Sequence, residues 1–517
     1  MARWLNLGET LKINAKKYPR RIAFCDSCRS FTYPESNIRV NKLANSLFSM
    51  GLVKGDRIAV FMENSIEMAE IFLAVAKTGM VIVPINFRLV ADEIEYIVNN
   101  SKASAMIVDK EFVPEVEKVR GQFVTIAPDR YIVNGEASQG WISYDSFTAD
   151  SDAAEPVSDV KPEDIWIHIY TSGTTGKPKG VLRSHESHIA FYLINAIDFG
   201  FNENDTCMNV MPLCHINSTY YTFTFTYLGG TAYIHPARSF KPSEILEIIE
   251  KNKITFISLI PTHYNLILNL DRKERNHDVS SIRKLLCSSA PVRKEMKKAI
   301  MDFFQGVELY EAYGSTEAGI VTILKPEDQM RKLGSIGYEV VGTDFIKLLN
   351  EDGNQVKTGE VGELYSRSPM LFDEYFDLPE KTADSFAGEW FSAGDMAVKD
   401  EDGFYSIVDR KDNMIITGGE NVYPSEIEDV VASHADVFDC ACIGVPDEKW
   451  GEKIVVVVVP KPGRDKKEID GEDIRNFCRT RLAGYKIPKK VVVIDSDDMP
   501  RTPTGKILHR KLRARNL

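Results

Sequence analysis

The sequence predicts an α/β protein: a large N-terminal domain of layered α/β sheets with a small β-barrel-like part, followed by a small α+β C-terminal domain. Three observations predict it. Helical and strand patterns alternate along the first part of the chain, as expected of parallel strands overlaid by helices. Gly334 to Asp409 reads as short strands broken by Gly and Asp turns such as Glu351-Asp352-Gly353. Beyond Asp409 to Asn413 a compact mixture of helix and strand patterns runs to the C-terminus, so the expected division is 1–411 and 412–517.

Taken in order, Glu9 to Lys17 and Asn37 to Met50 carry amphipathic helical spacing. Between them Arg21 to Glu35 reads as two strands around an Asp-Ser turn. Cys25 and Cys28 form a lone C-x-x-C there, which without a second pair points to packing rather than a metal. Asp56 to Met62 is a strand, Ile66 to Thr78 a helix, Met80 to Asn86 a buried strand, and the polar run Asp150 to Lys161 a connection before the strand Asp164 to Thr171. In the last part, Pro424 to Ser433 and Gly471 to Arg481 read as helices. Asp439 to Val445, Lys453 to Pro460 and Lys489 to Ile494 read as strands.

At 517 residues the chain is long enough for more than one folding unit, and 44% hydrophobic with 27% charged residues is a globular balance. The longest apolar run, Ile454 to Pro460, is far short of the roughly 18 residues of a membrane span. Net charge is −12, but Arg481 to Leu517 holds ten Lys and Arg against three Asp, leaving +7 in the tail and −19 elsewhere. Such a chain repels nucleic acid as a whole while its tail suits a small anion. Eight scattered cysteines and an N-terminus without a signal-peptide core predict a reduced, cytoplasmic protein, with oligomerisation left open.

The chemistry concentrates in Tyr170-Thr-Ser-Gly-Thr-Thr-Gly-Lys-Pro-Lys-Gly180, after an apolar strand and before a helical pattern. Glycines let backbone approach an anion, Thr171, Ser172, Thr174 and Thr175 donate hydrogen bonds, and Lys177 and Lys179 bring charge. Gly173 and Gly176 stand too close together for a Walker loop, and Pro178 replaces its magnesium-binding hydroxyl. Further motifs follow: Met211-Pro-Leu-Cys-His215, Ser288-Ser-Ala-Pro291, Tyr313-Gly-Ser-Thr-Glu317, Gly362-Glu-Leu364, Trp390 to Asp395, Asp409-Arg-Lys-Asp412, Gly418 to Glu426 and Arg501-Thr-Pro-Thr-Gly-Lys506.

In kind and order these motifs resemble those of the adenylate-forming enzymes, the superfamily of acyl-CoA synthetases, peptide-synthetase adenylation domains and luciferases. Among them, aryl-CoA and carnitine/crotonobetaine-CoA ligases are closest in flavour. The resemblance implies an acyl-CoA synthetase fold with a mobile C-terminal domain, and ATP, Mg2+ and coenzyme A as reactants. A carboxylate would attack the α-phosphate of ATP, and a thiol would then displace AMP. It assigns the phosphates to Thr171, Ser172, Gly173, Thr174, Thr175, Gly176 and Lys177, magnesium to Thr174 and Glu317, and the α-phosphate to Thr316 with Tyr313 and Gly314 beside it. Adenine falls to Ser289, Ala290 and Pro291, and the ribose to Asp395 and Arg410. Lys506 is the adenylation lysine, a point charge that bridges carboxylate and phosphate.

The same resemblance gives His215 a gating role between acyl pocket and thiol path and implies that Gly418 and Gly419 line a pantetheine tunnel. It makes Trp450, Arg88, Tyr485, Lys486 and Lys489 the coenzyme A candidates and Asp412 the hinge. The polar segment Asn217 to Tyr221 after His215 suits a short, medium, cyclic, aromatic or polar carboxylate better than a long alkyl tail. The alternatives are an adenylate-forming enzyme with a carrier-protein acceptor, or a non-catalytic nucleotide sensor. The latter would be expected to lose Glu317 or Lys506, and both are present.

Overall fold

The computed structural model describes residues 6–171, 177–236, 238–288, 292, 294–501 and 507–515. They form two compact units: residues up to Phe345 with Ser366–Phe391, and Ile346–Tyr365 with Ser392 onward.

The first unit is built on two large sheets. In the eight-stranded sheet the central strands Val81–Pro84, Arg57–Phe61, Ala105–Asp109 and Tyr131–Asn134 run parallel. Ile165–Thr171 joins Val81–Pro84 in parallel and Lys179–Ser184 in antiparallel fashion. The nine-stranded sheet has a parallel centre of Thr231–Ile234, Thr206–Asn209, Phe256–Leu259, Lys284–Cys287 and Glu308–Ser315, and turns antiparallel at Gly319–Leu324, with Tyr338–Glu339 at that edge. The central strands are apolar on both faces because helices cover both, the condition for a parallel sheet. Ile66–Thr78, buried along its whole length, is such a covering helix.

Two local expectations needed correction. The helix expected from Asn37 begins at Tyr33, because Thr32 and Glu35 form a capping box: the Thr32 N–H donates to Glu35 Oε2 (2.7 Å) and the Glu35 N–H to Thr32 Oγ1 (3.4 Å). The anion loop does not lead straight into a helix. The strand Lys179–Ser184 follows it and pairs antiparallel with Ile165–Thr171, so the loop joins two strands before the helix His185–Phe199 begins. The reason is pairing: Gly180-Val-Leu-Arg183 is buried along its antiparallel partner Ile165–Thr171, which holds it in extended backbone.

The second unit holds the β-rich segment and the C-terminal part. Lys347–Leu349 pairs with Val361–Ser366, and Trp390–Lys399 with Tyr405–Arg410, both antiparallel. Val437–Asp447 and Gly451–Pro460 form a long antiparallel ladder, with Lys490–Val493 added in parallel to the latter. The valine run is buried on both faces for a physical reason. Val456 and Val458 pack with Ile427, Val431, Ile474 and Cys478 on one side, whereas Val455, Val457 and Val459 pack with Met499 and Leu512 on the other. Among the described residues, no helix is long and apolar enough to cross a membrane.

Candidate active site

The turn at Thr316 and Glu317 in the first unit is held by a buried arginine. Gly314 adjoins a register shift between Tyr313 and Gly314, and a Cβ there would lie 2.0 Å from the Gly319 carbonyl oxygen, so only glycine fits where the strand doubles back. The Thr316–Glu317 turn beyond it is fastened by Arg183, which is fully buried. Its Nη1 donates to the carbonyls of Thr316 (2.7 Å) and Glu317 (3.1 Å), and its Nη2 donates to that of Met370. Buried charge is costly unless hydrogen-bonded, so this arginine is committed to shaping the turn.

The side chain of Glu317 accepts from the Tyr375 hydroxyl at 2.8 Å, and Lys179 Nζ lies 4.4 Å from the centre of the Tyr375 ring. No Lys or Arg pairs with the Glu317 carboxylate among the described residues, so its donor chemistry fits a hard divalent cation. Thr171 ends its strand, and Lys177 Nζ sits 5.0 Å from the centre of the Tyr96 ring. The structure therefore brings Lys179, Thr316 and Glu317 into one neighbourhood. Ser172, Gly173, Thr174, Thr175 and Gly176 lie outside the described residues, as do Ser289, Ala290, Pro291 and Lys506.

His215 caps the helix Ile216–Leu228, and its Nε2 is 3.5 Å from Asn86 Nδ2. Burial first, and the charge of Arg88 second, push His215 down to about 4, so at neutral pH the ring is uncharged. Arg88 is exposed, its backbone N–H donates to Asn86 Oδ1 (3.1 Å), and Asn86 thus adjoins both residues that the sequence named separately.

The approach to His215 is set by Asn64, whose Nδ2 donates to the carbonyls of Met211 (2.9 Å) and His235 (3.0 Å) while Oδ1 accepts from the Leu213 N–H (2.7 Å). Sequence reasoning missed Asn64, Arg183 and Tyr375. A lone arginine inside the buried run Gly180 to Ser184 was a usable signal; the other two offered none. Beyond His215, Asn217 Nδ2 donates to Ser288 Oγ (3.3 Å) and its Oδ1 accepts from Ser258 (3.1 Å), beside a small cavity between this helix and the strands Thr206–Asn209 and Phe256–Leu259.

In the second unit Asp395 and Arg410 are direct cross-strand partners, with Arg410 Nε 2.8 Å from Asp395 Oδ1 and Nη1 donating to the Ala393 carbonyl at 2.6 Å. Asp412 sits in the turn Lys411–Asn413. Its carbonyl and that of Asn413 each accept from the Arg513 guanidinium at 3.2 Å.

Gly418 and Gly419 form the two-residue turn between Ile415–Thr417 and Glu420–Val422, with φ of +61° and +84°. A turn with two left-handed residues favours glycine on conformational grounds alone. The Gly418 N–H donates to the Trp450 carbonyl (2.8 Å), and Lys489 Nζ lies 5.1 Å from the Trp450 ring centre, so these coenzyme A candidates are gathered. Tyr485 is exposed, whereas Lys486 is paired with Glu426 at 2.5 Å.

The AMP-binding enzyme family model matches residues 11–376 and the AMP-binding enzyme C-terminal domain model matches 426–506. The chain belongs to the AMP-binding enzymes. It is 34% identical over 512 residues to feruloyl-CoA synthase of Amycolatopsis sp, covering 98% of this chain and 99% of that one. The long-chain-fatty-acid–CoA ligase FadD13 of Mycobacterium tuberculosis is 34% identical over 521 residues, 98% of each chain. Among solved structures, o-succinylbenzoate CoA synthetase of Bacillus subtilis with ATP and a magnesium ion superposes with a TM-score of 0.85 at 28% identity, covering 98% of this chain and 99% of that one.

Proposed function

We infer that the protein is an ATP-dependent acyl-CoA ligase, converting a carboxylic acid to its CoA thioester through an acyl-adenylate with release of AMP and pyrophosphate. The observation that carries this is the Thr316–Glu317 turn, fastened from beneath by buried Arg183 and leaving the carboxylate without a cationic partner among the described residues. The end-to-end likeness to CoA ligases supports the same reading.

In it, Thr316 hydrogen-bonds the α-phosphate, while Glu317, together with Thr174, would hold Mg2+, which when bound offsets the triphosphate charge. Asp395 and Arg410 serve the ribose, Lys506 pairs with the reacting carboxylate and phosphate, and neutral His215 gates the thiol's approach. Gly418, Gly419, Trp450 and Lys489 receive pantetheine, with Arg88, Tyr485 and Lys486 toward the nucleotide end of coenzyme A. Residues 412–517 act as a mobile domain turning at Asp412 between the two half-reactions. Asp412→Pro, fixing φ near −65°, is expected to impair CoA transfer far more than adenylation; equal rates in separate assays of both steps would remove the hinge.

The substrate is a compact carboxylate. Relatives of equal identity act on feruloyl and on long-chain fatty acyl groups, so the pocket decides, and the polar Asn217 and Ser258 in its lining disfavour a long alkyl tail. Pyrophosphate release over a carboxylate panel with ATP, Mg2+ and CoA tests the reading. Benzoate-like, crotonate-like and octanoate acids should outrun palmitate, and a preference for palmitate would sink the substrate class.

A further inference from the structure

The cavity beside the helix Ile216–Leu228 has an unusual wall. Asn209, Ser218, Tyr221 and Thr222 line it, and each is at least 95% buried. Asn209 Nδ2, Ser218 Oγ, Tyr221 OH and Thr222 Oγ1 have no hydrogen-bond partner among the described residues. Buried polar groups are nearly always satisfied, and a cluster of exceptions at one void implies a partner that comes from elsewhere. Helix geometry makes the cluster coherent. Ser218 and Thr222 are four residues apart and share a face, and Tyr221 stands over the Phe256 ring with centroids 5.0 Å apart.

The same helix starts at His215, so Thr222 lies about 10 Å further along its axis. The residues lining the cavity include none that is charged among those described, and the space left takes about one water-sized group.

We propose that the acid activated by this enzyme carries a neutral hydroxyl at the end remote from its carboxylate, received by Asn209, Ser218, Tyr221 and Thr222. This rests on the ligase reading above and sharpens its substrate class. A hydroxyl both accepts, as the Asn209 amide requires, and donates, as the three side-chain hydroxyls allow. A second carboxylate or an ammonium would enter without a counter-charge, which burial penalises heavily. An alkyl end would leave all four groups unpaired. Sites built to bond a substrate hydroxyl discriminate strongly against the analogue lacking it.

The test uses non-reactive acyl-sulfamoyl adenosines in matched sets: hexanoyl, 6-hydroxyhexanoyl and adipoyl; cinnamoyl and 4-hydroxycinnamoyl. Binding to the full chain is measured by calorimetry. The hydroxylated member of at least one set should bind about tenfold or more tighter than its relatives, and the advantage should shrink to about threefold or less in Ser218→Ala/Thr222→Val. Tyr221→Phe, which preserves the ring, serves the same purpose should the double variant fail to fold. Equal or weaker binding of the hydroxylated analogues in every set, no binding by any, or an advantage that survives in these variants overturns the proposal. Discrimination in binding without pyrophosphate release from any of the free acids overturns the ligase reading instead and leaves the hydroxyl site standing.

Discussion

Three buried histidines of the first unit and the half-buried His509 of the second are held in opposite ways. In the first, His168, His185 and His188 are fully buried. Burial holds His168 and His185 down to about 3 and His188 well below its ordinary value, so these rings pack as neutral bodies. In the second, burial again lowers His509, but its contact with Glu428 at 2.8 Å and that carboxylate's charge outweigh it and raise the group. The contrast extends beyond histidine. The first unit commits a fully buried arginine, Arg183, to holding backbone in place, while in the second the pairs Arg410–Asp395 and Lys486–Glu426 each include an exposed partner. In the first unit that arginine fastens the Thr316–Glu317 turn. The second presents polar side chains that exchange partners at low cost, since surface ion pairs are worth little.

The largest test of this division is Lys506→Ala. If the second unit supplies the adenylation charge, adenylate formation should fall by about 10² or more, while thioester formation from a supplied acyl-adenylate persists. Equal losses in both half-reactions would make Lys506 structural. Next comes Glu317→Gln, which keeps shape and the Tyr375 contact but removes charge. Pyrophosphate release should slow and half-saturating magnesium rise by about tenfold, and an unchanged magnesium titration would take Glu317 out of the metal site.

Gly180→Ala probes rigidity. A Cβ there would lie 2.0 Å from His168 Nε2, with the ring wedged between Tyr170 and Phe376, so a loss of about 1–3 kcal/mol is expected in denaturant unfolding. Gly419→Ala in the second unit meets nothing within 4 Å and carries only the left-handed backbone strain at φ +84°, so it should cost less. The reverse order would break the comparison.

Acid sharpens it at the smallest scale. The neutral histidines of the first unit have folded pKa values below the unfolded value of about 6.5. Their stability is therefore intact above it and is lost as pH falls toward 3. His509 is raised, so its contribution is present below about 6.5 and fades as pH climbs through its folded value. Hydrogen exchange at pH 5.5 and 8.5 should show the first unit opening more at the acid end, and His509→Gln weakening the second unit mainly there. A uniform response in both units would refute the assignment.

Much of this architecture was legible from side-chain pattern. The helix Ile66–Thr78 was read to the residue, because apolar spacing, Ser65 as cap and Gly79 in the left-handed conformation all agree. The turn between Cys25 and Ser30 was legible through Asp26, whose Oδ1 accepts from the N–H groups of Cys28 (2.8 Å) and Arg29 (2.7 Å). The strand Lys179–Ser184 was not, since lysine, glycine and arginine dilute its apolar signal and only pairing with Ile165–Thr171 makes it a strand.

Local chemistry is thus what the sequence determined by itself: the anion loop, the acid after Gly314-Ser-Thr, the paired glycines, and the family to which their order belongs. These rest on backbone freedom and side-chain type, which neighbours in sequence specify. Tertiary structure alone decided that Arg183 reaches Thr316, that Tyr375 meets Glu317, and that Asn64 braces the approach to His215. It alone decided that four polar side chains from a helix and a strand face one void. Hydrogen bonds between residues so distant in sequence depend on which strands the sheets bring together, and that is settled by burial over the whole unit, which no local pattern encodes.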